Sequence, residues 1–207
     1  MDKLKLRIEK FNSTIKEKLE EFQYNFYHLK FSEPVSENEI NEVQDFFEIP
    51  IPEELKILYK ELGSIKNEAG ESYAVEIEPV PYLLEKLKEE NKWYKCHSLG
   101  LIDYIKFSWV NDRPEFNGVE QSKIEHLNNH YKCFGLYRFN WGLEEAYYLY
   151  FDKNQKFGWV RYHQDCFDDL WAEHLDGMLE SSPANKNFED LMISVVDQLE
   201  VGILQNG

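Results

Sequence analysis

The sequence predicts an α+β fold: N-terminal helices, a central antiparallel sheet, and a C-terminal helix packed on that sheet. Three observations lead there. An apolar stripe at three- and four-residue steps opens the chain, and two further helical segments meet at Pro50-Ile51-Pro52. Three aromatic runs between residues 132 and 163 are separated only by "NWGLE" and "KNQK", spacings that suit hairpins and leave no room for helical crossovers.

Each element follows from its local pattern. Leu4, Ile8, Phe11, Ile15, Leu19, Phe22 and Phe26 make one stripe, which predicts a single helix over 3–29 until "FSEP" breaks it. In "VSENEI" Ser36 can cap a second helix, Glu39 can reach back, and Val35 can staple against Ile40. Ile40, Val43 and Phe47 give it an inner face. Pro52 suits the first turn of a third helix, whose buried side is Leu55, Leu58, Tyr59 and Leu62 and whose end is Gly63. Ile49 and Ile51 are available to plug the corner between the two.

The middle alternates in type. "YAVEIEPV" reads as a half-buried strand, "PYLLEKLKEENKWY" as a short helix, "IKFSWV" as a strand, and "GVEQSKIEHLNNHY" as a helix with Ile124 and Leu127 inside. "KCFGLYRF", "EAYYLYFD" and "FGWVRYH" are the three sheet strands. "NFEDLMISVVDQL" closes the fold, capped by Asn187 and packed through Phe188, Leu191, Val195 and Leu199.

With 207 residues, 43% apolar, one domain over 1–207 is the economical organisation, with 3–29 as a helical extension of a 33–200 core. Cys96, Cys133 and Cys166 form no metal-ligand spacing and point to a reduced, cytoplasmic setting with buried thiols. "MDKLKLRIEKF" lacks the apolar run of a signal peptide, and no run approaches the length of a membrane span.

Charge narrows the function. The net charge of −16 repels nucleic-acid phosphates and anionic membranes and attracts basic partners. Residues 31–55 hold eight acids and residues 162–185 hold six, with no Lys or Arg in either window. Such windows are either solvated, solubility-promoting surface or docking faces for a cationic protein.

Several side chains are of types that can bind metals or carry catalysis. His126 and His130 sit four apart, as two metal ligands can, yet no Glu of the HExxH kind lies between them and a polar helix face accounts for them better. Glu76 and Glu78 share one strand face, which a solvent-facing side also predicts. "HQDCFDDLWAEHLDGMLE" is rich in oxygen ligands, but it matches no EF-hand loop, and Cys166 beside Phe167 suits the interior. No phosphate loop, dinucleotide fingerprint or nucleophile elbow occurs. The expectation is therefore no catalytic residue, no metal and no cofactor. Trp141, beside Glu144 and Glu145 in the "NWGLEE" turn, is instead a candidate interface anchor.

The order of these elements resembles the SUKH superfamily. "SENEINEVQDFFEI" followed by "PIPEELKILYKELG" is similar to its opening acidic helix and Pro-bearing segment. "CFGLYRFNWGLEEAYYLYFDKNQKFGWVRYH" looks like its sheet, and "NFEDLMISVVDQL" like its closing helix. The resemblance spans roughly residues 33–200; Leu62-Gly63 stands where the family has Asn-Gly, and residues 3–29 are an extension of it. It implies a cytoplasmic bacterial immunity protein that binds and neutralises a polymorphic secreted toxin, or a regulator of the cell-wall-synthesis type that the superfamily also contains. On the first implication the partner is a cognate protein toxin, basic and nuclease-like, and neither nucleic acid nor membrane. The expected partner-binding residues are Trp141, Glu144, Glu145, Asp165, Asp168, Asp169 and Glu173. A metal-dependent enzyme built on the acidic stretch is the remaining alternative.

Overall fold

Capping residues decide where the first helices begin and end. In a computed structural model of the chain, α1 spans Asp2–Lys18 and α2 spans Glu21–Tyr27. The described residues are 1–45, 47, 49–68, 74–81, 83–84, 99–108, 119–138, 145–163, 176–177, 179–180, 184 and 186–206. The single helix expected over 3–29 is thus two. Leu19 is extended, and Glu20 starts α2 with a reciprocal capping box in which its backbone N–H donates to the Gln23 side chain. The apolar stripe follows this break. Leu4, Ile8, Phe11 and Ile15 are buried, whereas Phe22 and Phe26 are 69% and 40% exposed.

Strand β1 (Lys30–Phe31) leads to α3 (Glu37–Gln44), where Ser36 and Glu39 form the expected capping box. Helix α4 runs Glu53–Leu62, with Pro52 at its N-cap. Between them Ile51 is buried and Ile49 packs against the core, as expected of a plugged corner. The Gln44 side chain clamps the hinge: its amide donates to Ile49 O at 3.1 Å and its oxygen accepts from Ile51 N at 2.6 Å. Gly63 ends α4 at φ +71°, where a Cβ would lie 2.2 Å from Glu33 O, so the position requires glycine on two counts.

Strand β2 is Ile65–Lys66 and β3 is Ala74–Ile77, the latter alternating as predicted with Val75 and Ile77 inward. Residues 105–108, expected to start a strand, belong instead to helix α5 (Leu101–Ser108). Leu101, Ile102, Tyr104 and Ile105 are buried at helical spacing. The Asn128 side chain accepts from Ile102 N at 2.9 Å and Asp103 N at 3.1 Å, a cap supplied from a neighbouring helix. That neighbour, α6, spans Gln121–His130 as expected, with Leu127 buried. Of the short helix expected over 81–94, residues 80–81 and 83–84 are helical and the rest lies outside the described residues.

The three predicted strands are present as β4 (Tyr131–Arg138), β5 (Glu145–Asp152) and β6 (Phe157–His163). All six strands form one antiparallel sheet in the order β1-β2-β3-β4-β5-β6. Asp152 organises the β5–β6 turn by accepting from Asn154 N and Lys156 N. Helix α7, Phe188–Asn206, is capped by Asn187, whose oxygen accepts from Asp190 N at 2.8 Å.

The sheet carries helices on both faces. Phe188 of α7 meets Phe134 and Phe157 on one face, and Tyr104 of α5 meets Tyr148 on the other. A register shift between Cys133 and Gly135 brings Phe134 into the ring cluster under α7. Helix α1 lies along α7, and Arg7 bridges to Asp197 and Glu200 at 2.6 Å each. The buried residues of α1 share one apolar cluster with the sheet. Among the described residues no helix is long and apolar enough to cross a membrane.

Candidate docking site

Strand register collects one set of large amphipathic side chains at a single end of the sheet. Tyr147 lies opposite Tyr137 on β4 and Arg161 on β6, with Glu145 and Trp159 one step away on the same face. The Tyr137 and Tyr147 rings stack with centroids 4.7 Å apart and planes within 8°, and Trp159 meets Tyr147 edge-on at 5.2 Å. Arg161 Nη2 donates to Glu145 Oε2 at 2.6 Å. Tyr137 is buried, Tyr147 and Trp159 are half-buried, and the Arg161 side chain is 55% exposed.

The electrostatics keep this face polar but uncharged on its hydroxyls. Burial, a hydrogen bond to Glu145 and the Glu145 charge push the Tyr147 hydroxyl up to about 12, with Arg161 opposing. Burial pushes Tyr137 up as well, assisted by Tyr147 and Glu145. Flat aromatic surface, phenolic protons and an ion pair at one strand end can bury apolar area while offering hydrogen bonds. Residues of this kind dominate protein interfaces.

Of the sequence-predicted site residues, Glu145 stands in this group. Trp141, Glu144, Asp165, Asp168, Asp169 and Glu173 lie outside the described residues. The described ends that flank them are adjacent: Arg138 ends β4, and Glu145 at the start of β5 pairs with His163 at the end of β6. The chain therefore enters 139–144 and 164–175 from the same end of the sheet. Sequence reasoning passed over Tyr137, Tyr147, Trp159 and Arg161. Their signal was the two-residue step that puts 145 and 147, or 159 and 161, on one face.

Other candidates resolve differently. Glu78, expected on a solvent-facing side, is only 3% exposed and accepts from the Tyr104 hydroxyl. Several acids of the 31–55 window serve the fold. Glu39 closes the α3 cap, Glu37 pairs with Lys60 at 2.8 Å, and Glu54 accepts from Phe188 N at 2.7 Å. The Lys60 ammonium accordingly holds Glu37 below the usual carboxylate range, and the Ser36 hydroxyl and backbone do the same for Glu39.

In the 162–185 window, Asp176 pairs with Lys123 at 2.7 Å, and the helical residues 176, 179 and 180 help line a pocket of about 310 Å³ against α6. His126 and His130 face each other on α6, ring centroids 3.9 Å apart. His130 holds the His126 imidazole below its ordinary range, with lesser contributions from burial, Lys123 and Lys153. Cys133 is buried, as expected of an interior thiol; Cys96 and Cys166 lie outside the described residues. No protein-family model, curated protein or solved structure matches the chain.

Proposed function

We propose that this is a non-catalytic, cytoplasmic binding protein of the toxin-immunity kind suggested by its resemblance to the SUKH superfamily, and that it occludes a basic protein partner. The observation that carries the reading is the Tyr137–Tyr147–Trp159 aromatic face with Glu145 and Arg161, at the sheet end from which the chain enters residues 139–144, which include Trp141, and the acidic stretch. The net charge of −16 draws a cationic partner in and rejects polyanions. The half-buried rings then supply apolar contact that holds it. A nuclease-like toxin domain, whose own substrate is polyanionic, has the complementary charge.

Co-expression with a toxin domain encoded beside the gene tests this. Growth rescue together with a stable co-purified complex is expected, and rescue should be lost in a Tyr147→Ala/Trp159→Ala variant that stays folded. Rescue unchanged by that variant and by added salt in the binding assay refutes docking at this face. One observation favours the regulatory-scaffold alternative: Phe22 and Phe26 pair on exposed α2, ring centroids 5.2 Å apart, as a self-association contact would require. Concentration-dependent dimerisation abolished by Phe22→Ser, with no tight single partner, is the outcome that reading expects.

A further inference from the structure

Helix α6 carries a second constellation, on the opposite sheet face and at the opposite end from Tyr147. His126 and His130 lie one turn apart, their rings 3.9 Å between centroids and tilted by 31°. The spacing that suits metal ligation is shared by many polar helix faces; the packing of the two rings is what the structure adds. His130 Nδ1 lies 2.7 Å from His126 O, an oxygen that can only accept, so this nitrogen carries the proton and Nε2 keeps its lone pair for a ligand. An imidazole oriented by an N–H to a backbone carbonyl is the usual arrangement of a metal-binding histidine.

The surroundings carry both signs of charge. The pocket of about 310 Å³ beside His126 is bounded by Leu127, Tyr131, Leu179, the Lys123 ammonium and two carboxylates, Asp176 and Glu180, with His130 just outside its lining. Asp176 acts electrostatically on His126 and is held by Lys123 at 2.7 Å. Lys123 and Lys153 oppose a cation there, which limits affinity. Among the described residues no group of three or more His, Cys, Asp or Glu is placed to hold an ion, so the site offers two imidazoles and leaves the other positions to water. Imidazole ligands select zinc, nickel and copper over the oxygen-seeking magnesium and calcium.

We propose that His126 and His130 chelate a divalent transition-metal ion, with Asp176 in the outer shell. The site is independent of partner docking. Thermal unfolding of the full chain with Ni²⁺ or Zn²⁺ tests it, since an ion that binds only the folded state raises the melting temperature. A rise that saturates with either ion, is reversed by chelator and is absent with Mg²⁺ is expected. The His126→Gln/His130→Gln variant should lose the rise, and Asp176→Asn should weaken binding by about tenfold, as outer-shell changes do. No rise in the unaltered protein, an equal rise in the double variant, or an equal rise with Mg²⁺ overturns the proposal. If the double variant does not fold, imidazole resonances of the unaltered protein decide: of the six histidines, only His126 and His130 should shift with Zn²⁺.

Discussion

The two ends of strands β4–β6 present the same face of the same sheet and treat aromatic residues in opposite ways. Under α7, Phe134, Phe151, Phe157 and Phe188 contact one another at 5.4–6.3 Å, all fully buried. At the far end Tyr137, Tyr147 and Trp159 pack with similar ring spacings, but two of the three are half-buried and an ion pair adjoins them. Ring density is therefore no guide to role. What separates the ends, among the described residues, is the polar handle on each ring and the helix that covers one end. A phenylalanine gains nothing from partial solvation, whereas tyrosine and tryptophan can face water with one edge and the core with the other.

Truncating the covered end should have the largest effect. Phe157→Ala removes a ring touching three others and should cost about 3–5 kcal/mol of stability, measured by denaturant unfolding. A loss below about 1 kcal/mol would mean that the two ends are not different in kind.

At the open end the effect should move from stability to binding. Tyr147→Ala and Trp159→Ala should each cost about 2 kcal/mol of affinity for the basic partner, as interface anchors do, with a smaller loss of stability than Phe157→Ala. Calorimetric titration beside a melt reads both quantities; the reverse ranking would make the open end ordinary core.

Alkaline titration sharpens the contrast without a partner. Above pH 10 the tyrosines of the unfolded chain release protons, while folded Tyr147 holds its proton up to about 12. The unfolded state then binds fewer protons, so unfolding free energy falls as pH rises through that window. Tyr147→Phe should flatten part of the fall, whereas Phe157→Leu should leave the slope unchanged while lowering the whole curve. A slope indifferent to Tyr147→Phe would mean that neither burial nor Glu145 raises this hydroxyl in the folded state.

The smallest effect belongs to the Glu145–Arg161 pair. Arg161 is mostly exposed, and Arg161→Gln should change stability by less than about 1 kcal/mol, less again in high salt. Its effect on association rate should exceed its effect on stability, and stopped-flow mixing at two ionic strengths measures it.

The sequence shows this contrast only in part. Strands β4, β5 and β6 are legible because their alternation and short turns are local. The hinge is legible because Ser36, Glu39, Pro52 and Gly63 act on their own backbone. Helix α5 is not, because "LIDYI" is apolar at positions compatible with either period, and Asn128, about 25 residues further on, decides for helix. The division of the first helix at Leu19–Glu20 is hidden for a related reason: the apolar period runs through it unbroken. Two-residue strands such as β1 and β2 carry no pattern to read. In the candidate docking site, Glu145 stands out by charge, but "EAYYLYF" is aromatic on both faces. Only register shows that Tyr147 and Trp159 share a face with Glu145 while Tyr148 turns toward Tyr104 of α5 and Tyr150 toward Tyr131.

The packing of α1 along α7 has a consequence for synthesis. Leu4, Ile8, Phe11 and Ile15 leave the ribosome early, yet the helix they lie against begins at Phe188. At roughly 5–20 residues per second, the stripe is without its native neighbour for on the order of ten seconds. Throughout that interval a nascent helix with one greasy side is open to chaperones and to neighbouring chains. Slower decoding of the central codons would lengthen that exposure without altering a single residue of the finished protein.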